Sequence, residues 1–172
     1  MRPIQSKQLA DHLPLTLQMM FRLICDGAKQ PYIYELAYKI VDTVPDRATV
    51  SPEEQDMAEI HAIWEWVVRN IRYTRDPWDL INNRPGEKLA DVEVTLRLKQ
   101  GDCDDHCILT GALLTTLGHR VEIWVGGYKR PTHVFLVAYT ASGVPVVVDT
   151  TAKAKPFGAY PGGPQWKFWK WG

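Results

Sequence analysis

A buried-helix signature directly behind a cysteine constrains this chain more than any other feature. Residues Cys107 to Leu117 read Cys-Ile-Leu-Thr-Gly-Ala-Leu-Leu-Thr-Thr-Leu, the apolar density of a buried helix, and Gly118 ends the run. Just before it stand Gly101-Asp102-Cys103-Asp104-Asp105-His106, where Gly101 and Asp102 read as a turn and a helix cap. The Cys103 sulfur is therefore placed at a helix N-terminus. That position matters because a thiol with an ordinary pKa of about 8.5 is only a few per cent thiolate at neutral pH, and a helix dipole or a nearby imidazolium raises the fraction. Asp102 and Asp104 act in the opposite direction, since negative charge beside a thiol raises its pKa.

Two β-like runs follow the helix. Thr132 to Tyr139 opens with His133 at its second position, and Val144 to Thr150 carries Asp149 near its end. The short Thr140-Ala141-Ser142-Gly143 connection predicts neighbouring antiparallel strands, which brings His133 and Asp149 to the same end of a hairpin. A histidine serving a thiol as a base needs an acceptor on its second ring nitrogen, and Asp149 is the natural candidate. Cysteine, histidine and aspartate come in that order along the chain.

Taken together, Gly101-Asp102-Cys103-Asp104-Asp105, a helix, a strand bearing His133-Val134, and a strand ending in Val148-Asp149-Thr150-Thr151 resemble the transglutaminase-like superfamily of papain-type cysteine enzymes. Ala58 to Tyr73, followed by Asp76-Pro77, is similar to the helix that precedes the nucleophile in its prokaryotic and phage branch. The resemblance covers roughly residues 56 to 151. It implies an α+β fold, with the nucleophile on a helix N-terminus packed against an antiparallel sheet. It also implies Cys103 as nucleophile, His133 as general base and acid, and Asp149 as the residue orienting the histidine. The activity implied is hydrolysis of a peptide or isopeptide bond, or acyl transfer to an amine, on a protein or peptide substrate.

An oxyanion intermediate needs donors, of which the Cys103 backbone NH is one; Trp78, Tyr73 and Gln100 are the side-chain candidates. Asp102 and Asp104 read as shaping the turn. In calcium-dependent bacterial proteases of this superfamily, acids near the cysteine bind calcium, but two or three aspartates fall short of the six to eight oxygens that ion takes. Cys103, His106 and Cys107 share a helix face, yet a structural zinc site needs four ligands and no second pair is present. No metal or cofactor is expected. Cys25 and Cys107 read as core residues, and His12, His61 and His119 as structural or surface ones.

Elsewhere the patterns are plainer. Leu15 to Cys25 suits either a strand or a short buried helix. Pro31 can open a helix through Val41, with Ile33, Leu36, Ala37 and Ile40 as its apolar stripe. Ser51-Pro52-Glu53-Glu54 predicts the start of a helix from about 52 to 72. Residues 76 to 100 read as a long surface loop leading into the nucleophile. The sequence thus divides into one domain over residues 1–165, helical to about 75 with its catalytic core at about 76–155, and an aromatic tail, 166–172. That tail, Trp166-Lys167-Phe168-Trp169-Lys170-Trp171, follows an irregular Pro156–Pro164 linker, and either folds back onto its own domain or docks a protein partner.

Twenty basic and twenty acidic residues cancel, so charge points to neither nucleic acid nor membrane as a partner. No signal-peptide pattern is visible and no span of about 20 apolar residues occurs. Three cysteines make no disulfide framework and fit a reducing compartment, so the cytoplasm at synthesis is expected, with association with a virion compatible. The rival to an enzyme is a non-catalytic structural or adaptor protein, such as a phage virion or tail component, docking through the aromatic tail.

Overall fold

The computed structural model describes residues 4–5, 13–46, 48–75, 78–79, 84–85, 89–151 and 155–171. After β1 (Ile4–Gln5) come three helices, α1 (Leu13–Gly27), α2 (Pro31–Val41) and α3 (Pro52–Asn70). The segment that suited either strand or helix is helical. Leu17, Met20 and Ile24 recur at helical spacing and bury one face of α1. Cys25, expected in the core, lies one position off that stripe and is only half-buried. In α2 the predicted stripe turns inward, led by fully buried Ile33 and Ala37.

A capping box starts α3: the Ser51 hydroxyl accepts from the Glu54 NH, and the Glu54 carboxylate accepts from the Ser51 NH. The helix stops at Asn70 because Ile71 is already extended, and Arg72–Tyr73 forms β2. Residues 76 to 100 hold more structure than the surface loop expected of them. Within them β3 (Trp78–Asp79) pairs antiparallel with β4 (Arg84–Pro85), and α4 (Val92–Leu98) follows. That helix forms because Asp91 caps it, accepting from the Val94 NH at 2.9 Å, while Val92 and Thr95 bury its inner side. Lys99 ends it in the left-handed conformation, and β5 (Gln100–Gly101) then pairs parallel with β2.

Next come α5 (Cys103–Thr116), β6 (Arg120–Gly127), β7 (His133–Tyr139), β8 (Pro145–Val148) and β9 (Lys167–Lys170). The main sheet has the order β1-β9-β6-β7-β8, antiparallel except for the β1–β9 edge. The predicted hairpin is β7–β8, with Leu136 opposite Val148 and Tyr139 opposite Pro145. Its central neighbour β6 is not among the β-like runs picked out above. The aromatic tail supplies β9, inserted between β1 and β6 and not projecting from the molecule. Trp169 lies opposite Val125 and is buried, and Trp171 packs on Phe21 at 6.0 Å between ring centroids.

One sheet face, lined by Ile123, Val125, Val134, Leu136, Val146 and Val148, packs on the helices; the other carries Trp124, Phe135, Val137 and Val147. Helix α5 is enclosed between that inner face and α1, α2 and α3, so apolar residues surround nearly its whole circumference. Contact with α1 is close: a methyl at Gly111 would lie 2.8 Å from Ile24 Cδ1. Burying one side chain of the size of Leu109, Leu113 or Leu114 contributes roughly 1.5–3 kcal/mol. The start of α5, and with it Cys103, is therefore fixed by the core. Polar ties reinforce the frame, since buried His119 meets Glu59 at 3.0 Å and Asp56 accepts the Ala141 NH at 2.6 Å. Among the described residues no helix is long and apolar enough to cross a membrane.

Candidate active site

Cys103 opens the first turn of α5, and the aspartates around it are spent largely on holding that turn. Asp102 is the N-cap: its Oδ1 accepts from the Asp104 NH at 2.9 Å and the Asp105 NH at 3.4 Å. Asp105 returns the favour, taking the Asp102 NH at 3.3 Å and the Ala90 NH at 2.8 Å, which also ties the turn to the α4 approach. Glycine is needed at position 101 because Asp105 folds back over it; an added Cβ would lie 2.5 Å from the Asp105 Cβ. Among the described residues no hydrogen bond occupies the Cys103 NH, which leaves it as a donor at the positive end of α5.

His133 is the first residue of β7, and Asp149 is the first residue beyond β8. Their side chains meet, His133 Nε2 to Asp149 Oδ2, at 2.8 Å with both largely buried. The pairing uses Nε2, so Nδ1 is the ring nitrogen available to a thiol. Burial alone would raise the Asp149 pKa; the hydrogen bond and charge of His133, with the Thr151 NH and hydroxyl, outweigh it and hold the carboxyl below the usual range. Asp149 Oδ1 accepts from Thr151 N at 2.9 Å and Oγ1 at 2.7 Å, and the Asp149 carbonyl accepts from Trp64 Nε1 at 2.8 Å. Trp64 falls in the stretch that carries the family resemblance, but nothing in the sequence ties its indole to residue 149.

The Val134 backbone NH lies near enough to the Cys103 sulfur to favour its thiolate, which places Cys103 near the start of β7, the strand that His133 opens. Among the described residues the thiol's one side-chain hydrogen bond goes to Asp104 Oδ1, at 3.7 Å, and not to the imidazole. Burial pushes the thiol pKa well up, and the charges of Asp104 and Asp102 push it further; the Val134 NH opposes them and loses. The helix N-terminus therefore does not leave this thiol ionised at rest. Cys107, one turn on, is buried and its thiol is raised by burial above all, as befits a core residue.

The three oxyanion candidates fare differently. Tyr73, on β2, lies close enough to Cys103 for the thiol's charge to help raise its phenol, behind burial as the main cause, and a hydrogen bond with Arg75 partly offsets this. Gln100 has its side-chain carbonyl engaged by Arg72 at 2.6 Å. The Trp78 side chain lies outside the described residues, although its backbone belongs to β3. Asp102, Cys103 and Asp104 bring ligand atoms within 4.8 Å of one another. Asp102 Oδ1 caps the helix and Asp104 Oδ1 accepts the thiol.

A known family, described by its transglutaminase-like domain, matches residues 47–162, a span that holds the thiol at the helix start and the histidine–carboxylate pair of the hairpin. The chain belongs to the transglutaminase-like domain family. Solved structures share the fold. A candidate cysteine protease from Cytophaga hutchinsonii superposes with a TM-score of 0.53 at 20% identity, over 78% of this chain and 42% of that one. A candidate protease from Parabacteroides distasonis gives 0.51 at 13% identity, over 80% of this chain and 31% of that one. This transglutaminase-like chain thus spans less than half the length of either. No functionally curated protein matches it.

Proposed function

We propose that the protein is a thiol-dependent acyl-transfer enzyme acting on amide bonds, with Cys103 as nucleophile, His133 as base and then acid, and Asp149 as the residue that orients His133. The observation that carries this reading is the 2.8 Å His133–Asp149 pair, set at the start of the strand whose Val134 NH lies near the Cys103 sulfur. Because burial and the flanking carboxylates favour the thiol over the thiolate, the reaction begins from the protonated sulfur. As sulfur attacks the substrate carbonyl carbon, its proton passes to His133 Nδ1, and Asp149 stabilises the resulting imidazolium through Nε2. The carbonyl oxygen takes up the negative charge beside the Cys103 NH, with the Tyr73 hydroxyl or the Gln100 amide NH2 as the side-chain donor.

Collapse of the tetrahedral adduct breaks the carbon–nitrogen bond, and His133 hands its proton to the departing amine. A thioester remains on Cys103. Water then attacks it, deprotonated by His133, to release the acid and restore the thiol; an amine in place of water would give a new amide. Hydrolysis of a peptide or isopeptide bond is the favoured outcome. The adaptor reading loses its docking element, since the aromatic tail is built into the protein's own sheet as β9.

The test is the rate of iodoacetamide labelling of Cys103 against pH, with and without His133→Ala, joined to intact-mass detection of a Cys103 acyl adduct after incubation with an activated peptide ester. Labelling that slows on removal of His133, with an adduct absent from Cys103→Ala, is expected. A rate indifferent to His133 would overturn the assignment.

A further inference from the structure

Three consecutive residues, Asp149, Thr150 and Thr151, lie beyond the last strand bond of β8, so the sheet ladder does not hold them. Each is nevertheless tied down. The Asp149 carbonyl accepts from Trp64 of α3, and Thr151 folds back onto the Asp149 carboxylate. Thr150 makes the third tie: its Oγ1 meets His106 Nδ1 at 3.0 Å, and both residues are buried, at 4% and 1% exposure. His106 lies on α5 three residues after Cys103, which places the two on one face of the same helical turn.

We infer that His106 and Thr150 are a positioning pair, whose hydrogen bond fixes the first turn of α5, and so Cys103, against the segment that presents Asp149 to His133. The inference rests on the acyl-transfer reading above. The two partners are 44 residues apart, and each sits within three residues of a reacting group on its own element. Of the ties on residues 149–151, this one runs to the nucleophile's helix; the Trp64 bond runs to α3, the contacts of Asp149 and Thr151 with His133 run to β7, and the Thr151–Asp149 bonds are local. Sliding of α5 along the sheet would change the sulfur-to-imidazole separation directly. The pair adds a directional buried bond to the apolar packing of α5, which by itself tolerates small shifts. Displacing reacting groups by about 1 Å costs on the order of a hundredfold in rate.

The test compares Thr150→Val with Thr150→Ser. Valine keeps the shape and removes the hydroxyl; serine keeps the hydroxyl. Iodoacetamide labelling of Cys103 is followed against pH in both and in the wild type, each with and without His133→Ala, below the unfolding temperature found by circular dichroism. Thr150→Val is expected to slow labelling by roughly tenfold or more and to leave the remainder insensitive to His133, with Thr150→Ser within about twofold of wild type. If Thr150→Val does not fold, Thr150→Ala against Thr150→Ser removes the same hydroxyl at nearly equal volume and takes the same expectation. Wild-type behaviour in the hydroxyl-free variant, still dependent on His133, would overturn the positioning role and leave the acyl-transfer reading standing. A wild-type protein whose labelling ignores His133 would remove that reading, and this one with it.

Discussion

Asp104→Asn isolates the force that keeps Cys103 protonated. The Asp104 carboxylate accepts the thiol at 3.7 Å, and after burial it is the largest of the influences raising the thiol pKa. A thiolate and a carboxylate at that separation repel by about 1 kcal/mol in bulk water and about 4.5 kcal/mol at an effective dielectric of 20. Asp104 is only half-buried, so the screened half of that range applies, about one to two pKa units. Asparagine is nearly isosteric and still accepts a hydrogen bond, so the change is one of charge. A less basic thiolate is also a weaker nucleophile, with a Brønsted slope of about 0.4–0.5, so each unit gained in ionisation yields about threefold to fourfold in rate.

The expected result is a lower apparent thiol pKa and labelling about threefold to fifteenfold faster near neutral pH. The assay is iodoacetamide alkylation read by peptide mass at each pH, in a Cys25→Ser background because Cys25 is half-buried and Cys107 is not accessible. Unchanged or slower labelling in a natively folded Asp104→Asn variant would refute the reasoning, since it would mean that the sulfur does not feel this carboxylate.

Four further outcomes follow from the geometry. Asp149→Asn should make Cys103 labelling slow by on the order of tenfold or more and insensitive to His133→Ala, because the imidazolium loses its 2.8 Å partner; labelling at the wild-type rate would count against the pair. The same carboxyl is depressed in the folded state, so the stability it contributes is present above the unfolded pKa of about 3.9 and is lost as pH falls below it; urea midpoints of wild type and Asp149→Asn should therefore converge on acidification. Cys103 has the opposite sign: its folded pKa is raised, its contribution is complete below the unfolded value of about 8.5 and lost as pH rises beyond it, so Cys103→Ser should flatten the alkaline fall in stability. Gly101→Ala should destabilise by about 1–3 kcal/mol in urea, because the new methyl collides with Asp105 and breaks the cap; a change under about 0.5 kcal/mol would contradict the close approach.

The parts of the fold legible in the sequence are those fixed by local chemistry. Ser51-Pro52-Glu53-Glu54 forms a capping box, Asp102 caps α5, and the 140–143 turn closes the β7–β8 hairpin. The turn brings His133 and Asp149 together and the Asp102 cap sets Cys103 at a helix start, so the candidate site rests on local signals. What escaped depends on tertiary context. Leu15 to Cys25 declares its helix only once Leu17, Met20 and Ile24 have a partner in α5. Strand β6 carries buried residues on both faces, Ile123 and Val125 inward and Trp124 outward, so it lacks the alternation that marks a half-buried strand. The tail becomes β9 because β6 leaves an unpaired edge for it, a fact written in neither segment alone. The ties from Trp64 and His106 to residues 149–150 join positions 85 and 44 apart, beyond the reach of any local pattern.

The way restraints are distributed around the site identifies what must move when a substrate arrives. The carboxylate of Asp149 is fixed by Thr151 and His133 and its carbonyl by Trp64, so the base and its orienting acid need little reorganisation. The helix carrying the nucleophile is held by the core along its length. Only the thiol itself has a choice of partner. It donates to Asp104, whereas the proposed reaction requires that it donate to the imidazole. The barrier to activation is therefore electrostatic and local, set by the Asp104 charge against the Val134 NH and the dipole of α5. In the proposed reaction, fixing the base and leaving the sulfur free lets the thiol stay protonated until a carbonyl carbon stands ready to receive it.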